Sequence, residues 1–184
     1  LTKTKQFTNF SGEKFSDWFV TGFAFRKQAT QSGQWNSTGN NSLFTVPGRA
    51  ESGLLADKLA GVLRSPTFPL THDQIMYRIK GNGRIRLVID GYVMVDFSGL
   101  LFSGGSMKVN TKGKWQWLRQ AGDIHRYKGR RAHIEVIDDG NGSISREEVR
   151  FANRAAPNPS DKPFTLAAQL LNDEKLTSPE LVAE

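Results

Sequence analysis

Apolar residues in this chain alternate with polar ones more often than they recur at helical spacing. The clearest stretch is Gln74–Asp96 (QIMYRIKGNGRIRLVIDGYVMVD), where Ile75, Tyr77 and Ile79, then Ile85, Leu87 and Ile89, occupy every second position. A period of two is that of a half-buried strand. Gly81-Asn82-Gly83 lies between the runs, and Asn-Gly between alternating segments is a strong hairpin signal. As a three-residue turn it predicts that Ile79 faces Ile85, Tyr77 faces Leu87 and Ile75 faces Ile89 on a core face. The same register sets Lys80 opposite Arg84 and Arg78 opposite Arg86 on the other. Opposed like charges cost about 0.2–1 kcal/mol per pair, so this four-cation cluster calls for an anion, from the fold or from a ligand. Asp90-Gly91 reads as a second tight turn and Tyr92–Asp96 as a third strand.

The same pattern places further strands. Trp18–Phe25 (WFVTGFAF) predicts one with Phe19, Phe23 and Phe25 on a shared face, and the polar Gln28–Asn41 an exposed loop carrying Trp35. Ser52–Leu59 suits a helical turn or two through Leu54, Leu55 and Leu59. Gly61–Leu70 reads as a strand whose Pro66 and Pro69 require an edge or a bulge, because proline cannot donate to a ladder. Met107–Val109 follows, then Trp115–Arg119, with Trp115, Trp117 and Arg119 on one face. Arg131–Ile137 sends Ala132, Ile134 and Val136 one way and Arg131, His133 and Glu135 the other, and Glu147–Ala152 closes through Val149 and Phe151. About eight short strands separated by turn signals predict an all-β fold, an antiparallel β-sandwich over residues 1–153. Arg154–Lys162 has linker composition, and the helical patterns in Phe164–Leu171 and Asp173–Glu184 read as the start of a following domain.

Composition narrows the function. The chain has 184 residues, 38% hydrophobic and 23% charged, which suits one soluble domain with an appendage. Lys and Arg number 25 against 18 Asp and Glu, a net charge of +7, which favours polyanionic partners. Nucleic acid is the weaker choice, since the basic residues are spread along the chain without a nucleic-acid-binding motif. The absence of cysteine excludes disulfides, thiolate catalysis, thiolate-bound zinc and c-type haem attachment within this segment. No apolar run approaches the roughly 18–20 residues of a membrane span. No signal-peptide pattern is visible, and because Leu1 is not an initiator the chain reads as an excised or processed piece.

The ordered motifs Gly61–Leu70 (GVLRSPTFPL), Arg86–Tyr92 (RLVIDGY), Trp115–Leu118 (WQWL), Tyr127-Lys128-Gly129 and Ala132–Phe151 (AHIEVIDDGNGSISREEVRF) resemble a module of large planctomycete surface proteins that carry cytochrome-type domains. They are similar, more distantly, to the galactose-binding-like modules of bacterial fructan-degrading glycosidases. The resemblance spans about Phe10 to Asn153. It implies a jelly-roll β-sandwich acting as a non-catalytic carbohydrate-binding module in an extracellular or periplasmic protein, with flanking domains of the same polypeptide as neighbours. It supplies no residue-by-residue ligand set.

Candidate chemistry therefore rests on the residues themselves. Arg78, Arg84 and Arg86, with Lys80, could hold carboxylate or sulfate groups, since an arginine fork binds both bidentately; alternatively they are solvated or neutralised by Glu135 and Asp90. Trp115 and Trp117 could offer sugar rings an apolar platform with Arg119 beside them, or serve as core. Trp35 is a loop contributor. His133 and Glu135 share a face, but with no nucleophile beside them they read as structural, and the spacing of His72, His125 and His133 does not suit zinc. Asp138, Asp139 and Asn141 partly resemble a calcium loop, giving at most a structural Ca2+, although Ile137 falls where the first Asp should be. No G-x-S-x-G elbow or phosphate loop is present. The expectation is a non-enzyme that binds an acidic polysaccharide; the alternative is a docking domain packed on its neighbours.

Overall fold

In the computed structural model, which describes residues 4–10, 15, 17–31, 47–90, 104–154 and 156–159, the hairpin is replaced by one long strand. The strands are β1 (Lys5–Thr8), β2 (Phe19–Gly22), β3 (Ala50–Glu51), β4 (Ala60–Arg64), β5 (Phe68–Pro69), β6 (Gln74–Ile89), β7 (Ser106–Asn110), β8 (Gln116–Gln120), β9 (Arg131–Asp139) and β10 (Ile144–Ala152). They form two antiparallel sheets packed as a β-sandwich of jelly-roll type, the fold class predicted. Both sheets share β6, whose 16 residues run through Gly81-Asn82-Gly83 without turning. Its first half, Gln74 to Gly81, lies between β10 and β8. Its second half, Asn82 to Ile89, lies between β9 and β7. The first sheet is completed by β1 and β3 on β10, and the second by β4, β5 and β2 beyond β9.

The crossing point explains the correction. Gly81 has φ +109°, and a Cβ there would fall on the backbone carbonyl of Ser143. Its N–H donates to Thr111 Oγ1 (2.8 Å), and the Asn82 N–H donates to the Ser143 carbonyl (2.8 Å). The backbone groups that a turn would pair with each other are satisfied from distant segments, so the chain passes straight through. The predicted cross-strand pairs do not form. Ile79 lies opposite Arg146 and Gln116, Ile85 opposite Val136 and Met107, and Leu87 opposite Ile134. The odd-numbered apolar residues of β6 nevertheless share one face, and all six are buried in a core common to both sheets.

Other expectations shift at their ends. Gly22 (φ +76°) stops β2, so Phe19 and Phe23 are exposed while Phe25 turns into the core. Ser52–Leu59 is not helical; Ser52 instead bonds reciprocally with Ile144, its Oγ accepting the Ile144 N–H (2.8 Å). The predicted Gly61–Leu70 strand divides at Pro66 into β4 and β5, both held on β9. A 3-10 helix, Gly122–Tyr127, was not signalled by periodicity and buries Ile124. In β10 a bulge between Arg146 and Glu148 resets the alternation, so Ile144 and Arg146, then Val149 and Phe151, point inward. Tyr92–Asp96, Trp35 and the helical tail from Phe164 lie outside the described residues.

Candidate binding face

Antiparallel partners share a face, and this divides the predicted site residues between the two sheets. On the outer side of the first sheet, β8 sets Trp117 opposite Arg78 and Arg119 opposite Met76. On the other flank of β6, β10 sets Glu148 opposite Arg78 and Arg150 opposite Met76. Arg78, Trp115, Trp117 and Arg119 are thus brought together, as alternation predicted for the last three. Arg84 and Arg86 are not with them: they lie on the outer side of the second sheet, opposite Ile137 and Glu135.

The first face is an interleaved array of indoles and guanidinium groups. The Arg49 guanidinium carbon stands 4.7 Å from the Trp115 ring centre and that of Arg78 5.9 Å from it, while Arg150 stands 5.7 Å from Trp117. Cations over indole are attracted by about 0.5–1 kcal/mol at exposed sites and more when desolvated. Glu147 bridges Arg49 (3.4 Å) and Arg78 (3.0 Å), and Glu148 pairs with Arg150 (2.6 Å). These pairs restrain the guanidinium groups against the rings but, being partly solvated, contribute modestly to stability. Trp115 and Trp117 are both half-buried. Trp117 rests on Met76, Ala152 and Ala156.

Arg119 has a different task. It donates to Gln74 Oε1 (3.2 Å), to the Ala156 carbonyl (3.0 Å) and to Asn158 Oδ1 (2.7 Å). It therefore straps the chain that follows β10 onto one margin of this face. Arg49, Glu147, Glu148 and Arg150 are the members that sequence reasoning missed. Arg49 stands just outside a two-residue strand, and Glu147 enters only through the bulge. The consecutive Glu147-Glu148 beside a strand of alternating Arg was the one signal available.

On the second face Glu135 organises its neighbours. It takes Arg86 Nε (2.7 Å) on one carboxylate oxygen and faces His133 Nε2 (3.2 Å) with the other. Arg86 is thus neutralised within the fold, one of the alternatives the sequence left open, and Asp90 pairs with Arg131 instead (3.1 Å). Arg84 lies directly opposite Lys108.

Asp138 and Asp139 end β9, where successive side chains point to opposite faces. Asp138 is buried and Asp139 exposed. Asp138 Oδ1 accepts the Gly140 N–H (2.9 Å) and Asp139 Oδ1 the Asn141 N–H (3.3 Å), so each closes its own turn. The three residues named for calcium do not share a cage, and among the described residues no three His, Asp or Glu side chains converge. Burial pushes the Asp138 carboxyl above its ordinary value of 3.8, against hydrogen bonds from Ser52 and Gly140 that lower it. A carboxyl raised in the folded state binds its proton more tightly there than in the unfolded chain. It adds stability below the unfolded value and loses it as pH rises through the folded one. Wild type is therefore expected to gain on Asp138→Asn as pH is lowered from 7 to 4, in thermal melts of both. A pH-independent difference would show that the buried charge is not the cause.

Among the described residues no helix is long and apolar enough to cross a membrane. No family model matches the chain, and no curated protein does. Solved structures that it is similar to include a family 29 carbohydrate-binding module (13% identity, TM-score 0.46, covering 87% of this chain and 100% of that one). A family 61 carbohydrate-binding module in complex with β-1,4-galactotriose is 19% identical, with a TM-score of 0.43 over 79% of this chain and 93% of that one. A family two carbohydrate esterase from Cellvibrio japonicus is 10% identical, with a TM-score of 0.42 over 83% of this chain; the chain spans 34% of that enzyme.

Proposed function

We propose that this chain is a non-catalytic carbohydrate-binding module for an anionic polysaccharide, and that the outer face of the first sheet is its binding surface. The observation that carries this reading is the array on that face: Trp115, just before β8, and Trp117 within it, with Arg49, Arg78 and Arg150 laid against them. An indole offers the C–H face of a sugar a flat apolar support. A guanidinium held in place by a carboxylate can exchange that partner for a uronate or sulfate group in the same bidentate geometry. Each contact is weak alone, so affinity lies between about micromolar and millimolar. The setting we propose is a larger extracellular or periplasmic protein of the kind that the sequence motifs resemble.

The test is a glycan array enriched in sulfated and uronic-acid polysaccharides, read at low salt and at about 0.5 M. Binding that survives salt is expected, with Trp115→Ala and Arg78→Ala each weakening it about tenfold, the size of one lost stacked or charge-assisted contact. Arg84→Ala, on the other sheet, should leave it unchanged. Binding that disappears with salt for every polyanion alike would reduce the face to a generic basic surface, because exposed charges are screened over a few ångströms at that ionic strength.

One observation favours a second reading, a structural docking domain. Ala156 and Asn158, beyond β10, already lie on the margin of the same face against Arg119, so flanking polypeptide is the alternative occupant. No binding to any glycan, together with loss of association with the flanking domains in Arg78→Glu, would select it.

A further inference from the structure

Among the described residues Arg146 is the bulkiest side chain sealed from solvent, with 0% exposure. Its position is forced: it lies opposite Ile79 and Ala50 in the ladder, both core residues, on the inward side of the β10 bulge. The Trp18 ring centre stands 3.9 Å from its guanidinium carbon and the Phe10 ring centre 4.7 Å. Aromatic rings take the faces of the group, but its N–H donors radiate in the plane, where a ring cannot accept them. Nε and both terminal nitrogens are buried without a hydrogen-bond partner. The buried Tyr77 gives its hydroxyl proton to Gln120 (2.6 Å) and is not a counter-ion.

An unpaired buried cation is the costliest arrangement of a charged side chain. Burial pulls the Arg146 pKa down to about 9, which leaves it charged at neutral pH. Phe10 is itself a non-glycine residue in the left-handed region (φ 51°), and so is Asp17 (φ 66°), the neighbour of Trp18. Such strain in a bulky residue is uncommon and recurs at ligand clamps.

We propose that Arg146 anchors a second site, separate from the tryptophan face, for a single oxyanion of carboxylate or sulfate size, admitted when Phe10 and Trp18 shift off the guanidinium. Bidentate contact to the in-plane donors is the geometry such an anion takes on arginine, and the left-handed backbone at Phe10 and beside Trp18 lowers the cost of displacing those rings. The site is independent of the glycan face. Trp115→Ala should leave it intact, so either reading can fail alone.

Thermal melts of the full chain would be followed in sodium sulfate against sodium chloride at equal ionic strength. Wild type is expected to gain about 5 °C along a saturating curve, as one bound anion gives near a hundred times its dissociation constant. Arg146→Met should show only the linear rise of an excluded salt. If that variant does not fold, the curve of Arg78→Ala, which removes the sulfate-binding arginine of the tryptophan face, decides: saturation that persists there supports the site and a straight line overturns it. Equal saturating gains in wild type and Arg146→Met would also overturn it. Galacturonate against galactose then separates sources, a saturating gain with galacturonate alone identifying a sugar carboxylate and one with sulfate alone a free inorganic anion.

Discussion

Gly81→Val is expected to destabilise the protein by about 3–5 kcal/mol in urea melts, a large part of the roughly 5–15 kcal/mol that hold a domain folded. Two costs combine. A β-branched residue at φ +109° is held where only glycine sits without strain. The new side chain also overlaps the Ser143 carbonyl, a backbone group fixed by its bond from Asn82 and unable to rotate away, so the overlap becomes overpacking. Gly113 is the control. Its φ is +74° but no atom lies within 4 Å of an added Cβ, so Gly113→Ala should cost only about 1 kcal/mol. A Gly81→Val variant as stable as that control would mean that β6 does not pass between the sheets at this point.

Gly81 also marks the limit of what alternation can say. In both a hairpin and a continuous strand, residues 75, 77, 79, 85, 87 and 89 fall on one face, so the core face was legible and the path of the chain was not. What decides the path is Ser143 and Thr111, far along the chain, which satisfy the backbone at the crossing. Local Asn-Gly chemistry carried no information about them. Where a strand keeps its alternation, the reading survived: in β9 Ala132, Ile134 and Val136 point inward, and in β8 Trp117 and Arg119 share the outer face. The binding face was legible in the same proportion. Trp115, Trp117 and Arg119 follow from one alternating segment at the start of β8, whereas Arg49 and Arg150 join them only through sheet order. Arg146 is a different failure: it sits in an inward position that polarity alone assigns to the surface, and a bulge one residue later hides the register.

The strand that displays the tryptophans depends on one residue on its opposite side. Gln120→Leu is expected to cost about 3 kcal/mol and to weaken glycan binding with it. Gln120 is 2% exposed. Its Oε1 accepts the Tyr77 hydroxyl (2.6 Å), and its Nε2 donates to the Gly104 (2.7 Å) and Gly105 (3.2 Å) carbonyls. Burial pushes the Tyr77 phenol well above its ordinary pKa of 10, so it remains a donor at any working pH. Leucine is close to glutamine in size and fills the space, but it leaves that hydroxyl and the Gly104 carbonyl without partners, at about 1–3 kcal/mol for each group that water cannot reach; the Gly105 carbonyl keeps the Leu87 N–H (2.7 Å). The double variant Tyr77→Phe with Gln120→Leu removes the orphaned hydroxyl and should recover about 1 kcal/mol relative to the sum of the single changes, measured by a double-mutant cycle. Strict additivity would mean that the two side chains do not share a bond. Because Gln120 pairs with Ile75 and Trp117 with Arg78 along the same ladder, loosening the inner anchor shifts the register of the outer array. The loss of affinity should therefore exceed what the unfolded fraction alone explains.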